Sequence, residues 1–206
     1  ISEIKPLAEK GQSNAQNLLG QIFYKTGSFQ DYQLSLKWHT KAAKQGNPWS
    51  QESLGWIYRK GEGVSQDHKE AVKWFQLAAV QGLAGAQASM GWHYARGLGV
   101  NQDYGEALSW YQRAAEQENS FAQTRLGSFY EKGYGTEQDY EEAMKWYNLA
   151  AQQGNKWAQA SLGQMYRNGQ GGSQDHIAAI KWLTLAAEQN EHMSQFSLGQ
   201  IYRNGE

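Results

Sequence analysis

The dipeptide Leu-Gly or Met-Gly recurs at Leu19-Gly20, Leu54-Gly55, Met90-Gly91, Leu126-Gly127, Leu162-Gly163 and Leu198-Gly199, with spacings of 35, 36, 36, 36 and 36 residues. A second marker keeps the same phase. Trp38, Trp74, Trp110, Trp146 and Trp182 recur every 36 residues, each followed four residues later by Ala-Ala, from Ala42-Ala43 to Ala186-Ala187. A fixed period of this length means stacked supersecondary units, none of which can bury its apolar face alone. The chain is therefore a repeat array: a capping half-repeat at 1–11, five full repeats at 12–46, 47–82, 83–118, 119–154 and 155–190, and a truncated final first helix at 191–206.

Each unit reads as two helices, the first over Pro48–Lys60 and the second over Asp67–Gln81 in the second repeat. Asp31, Asp67, Asp103, Asp139 and Asp175 stand where the second helix should start, and their carboxylates suit its free first-turn amides. Glu70, Glu106 and Glu142 follow three residues later, as in a capping box. Gly46, Gly82 and Gly154 fall where a left-handed residue should end the helix. Asn190 can take that conformation, while Glu118 departs from the pattern. The double-glycine turns, such as Gly61-Glu62-Gly63, invite a phosphate-loop reading, but they recur in every full unit except the first and lack the Gly-Lys-Ser/Thr that grips phosphate and magnesium. The glycine inside each first helix costs about 1 kcal/mol relative to Ala. Close packing of a neighbouring backbone, or of the indole of the second helix, is expected to offset it.

Composition removes several classes of function. With 19 Lys plus Arg against 20 Asp plus Glu, the chain lacks the basic excess of a nucleic-acid or anionic-membrane binder. It has no cysteine, so neither disulfides nor thiolate chemistry are available. Apolar runs are too short for a membrane span.

The recurring positions resemble the Sel1-like repeat family, a relative of the tetratricopeptide solenoids. The matching residues in the third unit are Ala86-Gln87, Met90-Gly91, Tyr94, Gly97, Gly99, Gln102-Asp103-Tyr104, Glu106-Ala107, Trp110-Tyr111 and Ala114-Ala115. The first unit departs by being one residue short around Thr26-Gly27-Ser28-Phe29 and by lacking the double glycine. The resemblance implies an all-α fold, a right-handed α/α solenoid of antiparallel helix pairs. It also implies an adaptor or scaffold for other proteins that has no catalysis or cofactor of its own, with the first helices lining a concave groove. The cysteine-rich secreted branch of the family is excluded. An exported or periplasmic location is preferred from the family alone, a bacterial origin is suggested by the compact repeats, and a monomer is expected. At the start, Pro6 points to a short capping helix around Ile4, Leu7 and Ala8. At the other end, Gly205-Glu206 fall inside a turn, so a continuing chain is expected.

Internal repeats separate core from surface without any other sequence. Counted from the helix glycine, the Ala/Ser five before, the Gln four before, the Leu/Met one before and the Tyr/Phe three after stay fixed, and they share one side of a helix. Positions six, three and two before, and one and four after, vary and share the opposite side. That side carries Trp49, Glu52, Trp56, Arg59, Trp92, Phe121, Thr124, Arg125, Trp157, Gln164 and Arg167, the candidate partner-binding residues. Tryptophan and arginine are typical interface anchors. Two readings stay open for Trp49, Phe121 and Trp157: a staple on the incoming turn, or a binding anchor. Trp56 and Trp92 are assigned to binding, whereas Arg59 and Arg167 also suit the negative end of the helix dipole.

The five histidines show no metal-ligand spacing. His39, His68 and His176 occupy aromatic slots of the repeat and are read as packing residues. Three functions follow. The first is a protein-binding scaffold with a trough on the order of 50 Å long, from helix spacings of about 8 to 10 Å. The second is a carbohydrate or cell-wall-binding envelope module, and the third the targeting arm of a larger enzyme.

Overall fold

A computed structural model describes residues 1–204, and the turn expected at Gly205-Glu206 lies outside them. Among the described residues there are twelve α-helices and no strand. They fall in two compact units. The unit Ile1–Asp103 holds α1 (Ile4–Glu9), α2 (Ser13–Thr26), α3 (Phe29–Lys44), α4 (Pro48–Lys60), α5 (His68–Val80) and α6 (Ala84–Arg96). The unit Tyr104–Glu206 holds α7 (Tyr104–Ala115), α8 (Ser120–Lys132), α9 (Tyr140–Gln152), α10 (Lys156–Asn168), α11 (His176–Glu188) and α12 (His192–Asn204). Within each unit consecutive helices pack in pairs. The first helices are α2, α4, α6, α8, α10 and α12.

The helix ends follow from local chemistry. Asp67, Asp139 and Asp175 cap α5, α9 and α11, the Asp67 carboxylate accepting from the amides of Lys69 and Glu70 at 2.8 and 3.0 Å. Asp31 does not cap α3. The shorter first unit leaves a two-residue connection, so α3 starts at Phe29 with Ser28 as its cap and Asp31 already inside the first turn. The reciprocal half of the expected capping box is also missing. The amides of Asp67 and Asp139 donate to the carbonyls of Tyr58 and Tyr130 at 2.9 Å, and Glu70 and Glu142 turn instead to Lys73 and Lys145 at 2.8 Å. Glu118, which departs from the glycine pattern in sequence, nonetheless takes the left-handed conformation with φ 62°, as Asn190 does at 59°.

The helix glycines show why the repeat needs them. A Cβ at Gly55 would lie 2.6 Å from the Phe75 ring, at Gly127 2.9 Å from Tyr147, and at Gly163 2.7 Å from Leu183. The packing partner is thus the residue after the periodic tryptophan, not the indole, because that side chain points directly at the first helix. A glutamine ladder holds the stack from inside. Gln16, Gln51, Gln87, Gln123, Gln159 and Gln195 each donate to the carbonyl eight residues earlier at 3.0 to 3.2 Å. The Oε1 atoms of Gln16, Gln51, Gln123 and Gln159 in turn accept from Gln45, Gln81, Gln153 and Gln189 at 2.7 to 2.9 Å. Buried amides of this kind are tolerated only when both ends are paired, and here they are. One core position escaped the internal comparison. The residue two after the glycine is fully buried as Ile57, His93, Met165 and Ile201. Tyr202, by contrast, sits at a fixed position yet is 70% exposed, and no second helix follows α12 among the described residues.

Candidate partner-binding face

In the unit Ile1–Asp103 the variable side of α2, α4 and α6 is dominated by a stack. The Arg59 guanidinium lies 4.6 Å from the Trp56 ring centroid and 3.7 Å from that of Trp92, and Arg96 covers Trp92 from 5.1 Å. Trp56 also meets Phe75 edge-on at 5.6 Å. Both indoles are half-buried. Cation–π contacts of this type contribute about 0.5 to 2 kcal/mol each, more when water is excluded. Arg59 therefore acts first within the chain, tying α4 to α6. Trp49 is different, with 52% of its surface exposed. Glu52 fills a notch that Gly85 leaves beside it: a Cβ at Gly85 would collide with the Glu52 carboxylate, whose pKa burial raises.

The unit Tyr104–Glu206 treats the same side differently. Gln164 donates to Ser197 at 2.5 Å and Arg167 to Gln200 at 3.2 Å, so both candidates tie α10 to α12. Thr124 returns its hydroxyl to the Ser120 carbonyl at 2.7 Å. Phe121, half-buried against Tyr111, carries the exposed Arg125 guanidinium 5.0 Å from its ring. Trp157 is 60% exposed, and together with Phe121, Arg125 and Tyr147 it borders a cavity of about 220 Å³.

The caps fix the helical position of Trp49, Phe121 and Trp157. Asn47, Asn119 and Asn155 are the N-caps of α4, α8 and α10, so these three rings occupy the second helical position. A staple joins the residue before the cap to the fourth helical position. The rings stand at neither place, and the staple reading does not fit them.

Residues outside the predicted set lie beside the candidates. His39 lines a second cavity, of about 430 Å³, with Gln21, Tyr24, Lys25, Ser53 and Trp56. Burial lowers the His39 pKa to about 4, and that of His93 likewise to about 4, so both rings are neutral near pH 7. The His93 Nδ1 faces the Leu98 carbonyl at 2.7 Å. Tyr24 donates to Glu62 at 2.6 Å and accepts from Lys60 at 2.9 Å. The sequence did flag His39 as a substitute for Tyr or Phe. What it did not convey is that the cavity beside this smaller ring is the larger of the two. Among the described residues no cluster of His, Asp or Glu could hold a metal ion, and no helix is long and apolar enough to cross a membrane.

The Sel1 repeat family profile matches residues 13–47, 50–83, 84–119, 120–155 and 158–191. Among solved structures, the chain is similar to c5321, a protective antigen present in uropathogenic Escherichia coli strains and displaying an SLR fold. The two are 39% identical with a TM-score of 0.92, over 98% of this chain and 44% of that one. It is also similar to a Sel1 repeat protein from Oxalobacter formigenes, at 34% identity and TM-score 0.86, over 95% and 78% of the two chains. A Sel1 repeat protein from Klebsiella pneumoniae, 22% identical with TM-score 0.60 over 98% of both chains, shares the fold. The chain thus spans less than half the length of the E. coli antigen. No protein of curated function matches it significantly.

Proposed function

The chain belongs to the Sel1 repeat family, and from that premise we propose that it is a non-catalytic, monomeric scaffold that takes a protein partner on the variable face of its first helices. Sel1 repeat proteins are in general protein–protein interaction scaffolds. The observation that carries the reading is the exposure of Trp49 on α4 and of Trp157 on α10, at 52% and 60%, in helices whose core positions are already filled. An indole left in water gains when a partner buries it, and such rings dominate interface energies. Phe121 and Arg125 extend the anchor set beside Trp157, and Glu52 adds an acidic group near Trp49.

The glycan reading draws on the same indoles, but a sugar platform needs an open ring face. Arg59 occupies faces of Trp56 and Trp92, and the Lys156 amine lies 5.3 Å from the Trp157 ring. Those cations favour a protein surface with its own carboxylates and apolar side chains. The test is quantitative capture of proteins from extract by wild type and by Trp49→Ala/Trp157→Ala. At least a tenfold fall in the specific partner, with an unchanged melting temperature, is expected. Equal capture by the double variant removes these rings from the binding surface.

A further inference from the structure

The slot after the periodic tryptophan is filled by Phe75, Tyr111, Tyr147 and Leu183 in four units, and by His39 in the first. The Tyr147 ring packs on Gly127, and its hydroxyl donates to Glu131 at 2.7 Å. His39 packs on Gly20 in the same way, its ring atoms 2.7 Å from where a Cβ would be. The imidazole is shorter than a phenol, and the cavity beside it is about 430 Å³, against about 220 Å³ at the equivalent place beside Tyr147. The larger cavity is lined by Tyr24, at the place of Glu131, by Ser53, at the place of Ser161, and by Trp56, Gln21 and Lys25. That volume falls within the range of ligand pockets.

The chemistry of the floor is fixed by a relay. Ser50 Oγ donates to Asn17 Oδ1 at 2.9 Å, so it must accept from His39 Nδ1, which lies 3.2 Å away. His39 then carries its proton on Nδ1, and burial keeps the ring neutral. Nε2 is left as a hydrogen-bond acceptor, with no donor reaching it among the described residues. A cavity lined by Tyr24 and Trp56 together with an imidazole acceptor complements a phenol, the group that another repeat carries in this slot as Tyr147. We propose that this cavity receives a tyrosine side chain of the protein partner, its ring against Trp56 and its hydroxyl donated to His39 Nε2. The occupant rests on the scaffold reading given above, whereas the phenol site itself can be measured without a partner.

The probe is N-acetyl-L-tyrosinamide, titrated into the whole 206-residue chain and followed by the NMR signals of the His39 ring and the Trp56 indole. Saturable shifts are expected, with N-acetyl-L-phenylalaninamide binding about fivefold more weakly for want of the hydroxyl. His39→Tyr supplies the phenol from within, so it should abolish the shifts without lowering the melting temperature. His39→Leu, which copies the Leu183 unit, should bind both probes equally. Absent saturation in wild type, equal affinity for the two probes in wild type, or undiminished binding by His39→Tyr overturns the proposal. If Trp49→Ala/Trp157→Ala loses the partner but His39→Tyr keeps it, the tyrosine assignment falls while the scaffold reading stands. Saturable probe binding with no partner captured by wild type has the opposite meaning: the phenol site holds and the scaffold reading fails.

Discussion

The two units carry the same helices and the same glutamine ladder, yet they use the variable face in opposite ways. In Ile1–Asp103 that face is aromatic and cationic: Trp56 and Trp92 clasp Arg59, and His39 lines a cavity of about 430 Å³. In Tyr104–Glu206 the tryptophan positions become Ser128, Gln164 and Gln200, hydrogen bonds replace the stack, and Tyr147 fills its slot with a phenol that donates to Glu131, leaving a smaller cavity of about 220 Å³. One repeat backbone thus tolerates both an imidazole and a phenol in that slot, because the stack is held by Ala, Leu, Gly and Gln at other positions. What varies is free to be used.

The sharpest way to break this contrast is to exchange the slots. Tyr147→His should lose about 3 kcal/mol in denaturant unfolding, since it opens a cavity and strips Glu131 of its donor. It should also enlarge the cavity beside residue 147 and let it take the tyrosine probe. Next comes the glycine that both units share. Gly127→Ala forces a methyl against Tyr147 and should cost about 2 kcal/mol. Gly199→Ala meets nothing within 4 Å and should be neutral or slightly stabilising by the same measurement.

Acid should separate the units as well. His39 and His93, both held near pKa 4 by burial, lie in Ile1–Asp103. Their folded pKa values are below the unfolded value of about 6.5, so the unfolded chain binds more protons in that window. Stability is therefore full above about pH 6.5 and falls as pH drops toward 4, by about 2 kcal/mol at pH 5 for His39 alone. Amide-exchange protection should fall in the first unit between pH 7 and pH 5, and His39→Tyr should recover part of it. The smallest effect is expected at the stack. Arg59→Ala should cost about 1 kcal/mol and raise quenching of tryptophan fluorescence by acrylamide, a change that Arg125→Ala in the other unit should not reproduce.

Much of this was legible in sequence. The period placed α4 at its observed bounds and α5 within one residue, and the alternation of fixed and varied positions located the core side of the first helices. Three things were not legible, each for a physical reason. Asp31 resembles its equivalents, but one missing residue in the connection changes which side chain meets the free amides. The glycine partner is the residue after the tryptophan, because its direction depends on how the helices face each other and not on spacing. The Arg59 stack joins residues 33 positions apart, from Arg59 to Trp92, and only packing across repeats reveals it. Glu118 shows the converse, a sequence exception with no structural one: its backbone is left-handed like the glycines around it.

On the scaffold proposal, a partner meets the variable side of the first helices and not the exposed side of the second. A photo-crosslinking amino acid placed at Arg125, on α8, or at Lys145, on α9, tests this within one unit, because both side chains are exposed and neither fills the core. A discrete crosslinked partner is expected from Arg125 and none from Lys145. A partner caught at Lys145 while Arg125 stays silent would contradict the proposal.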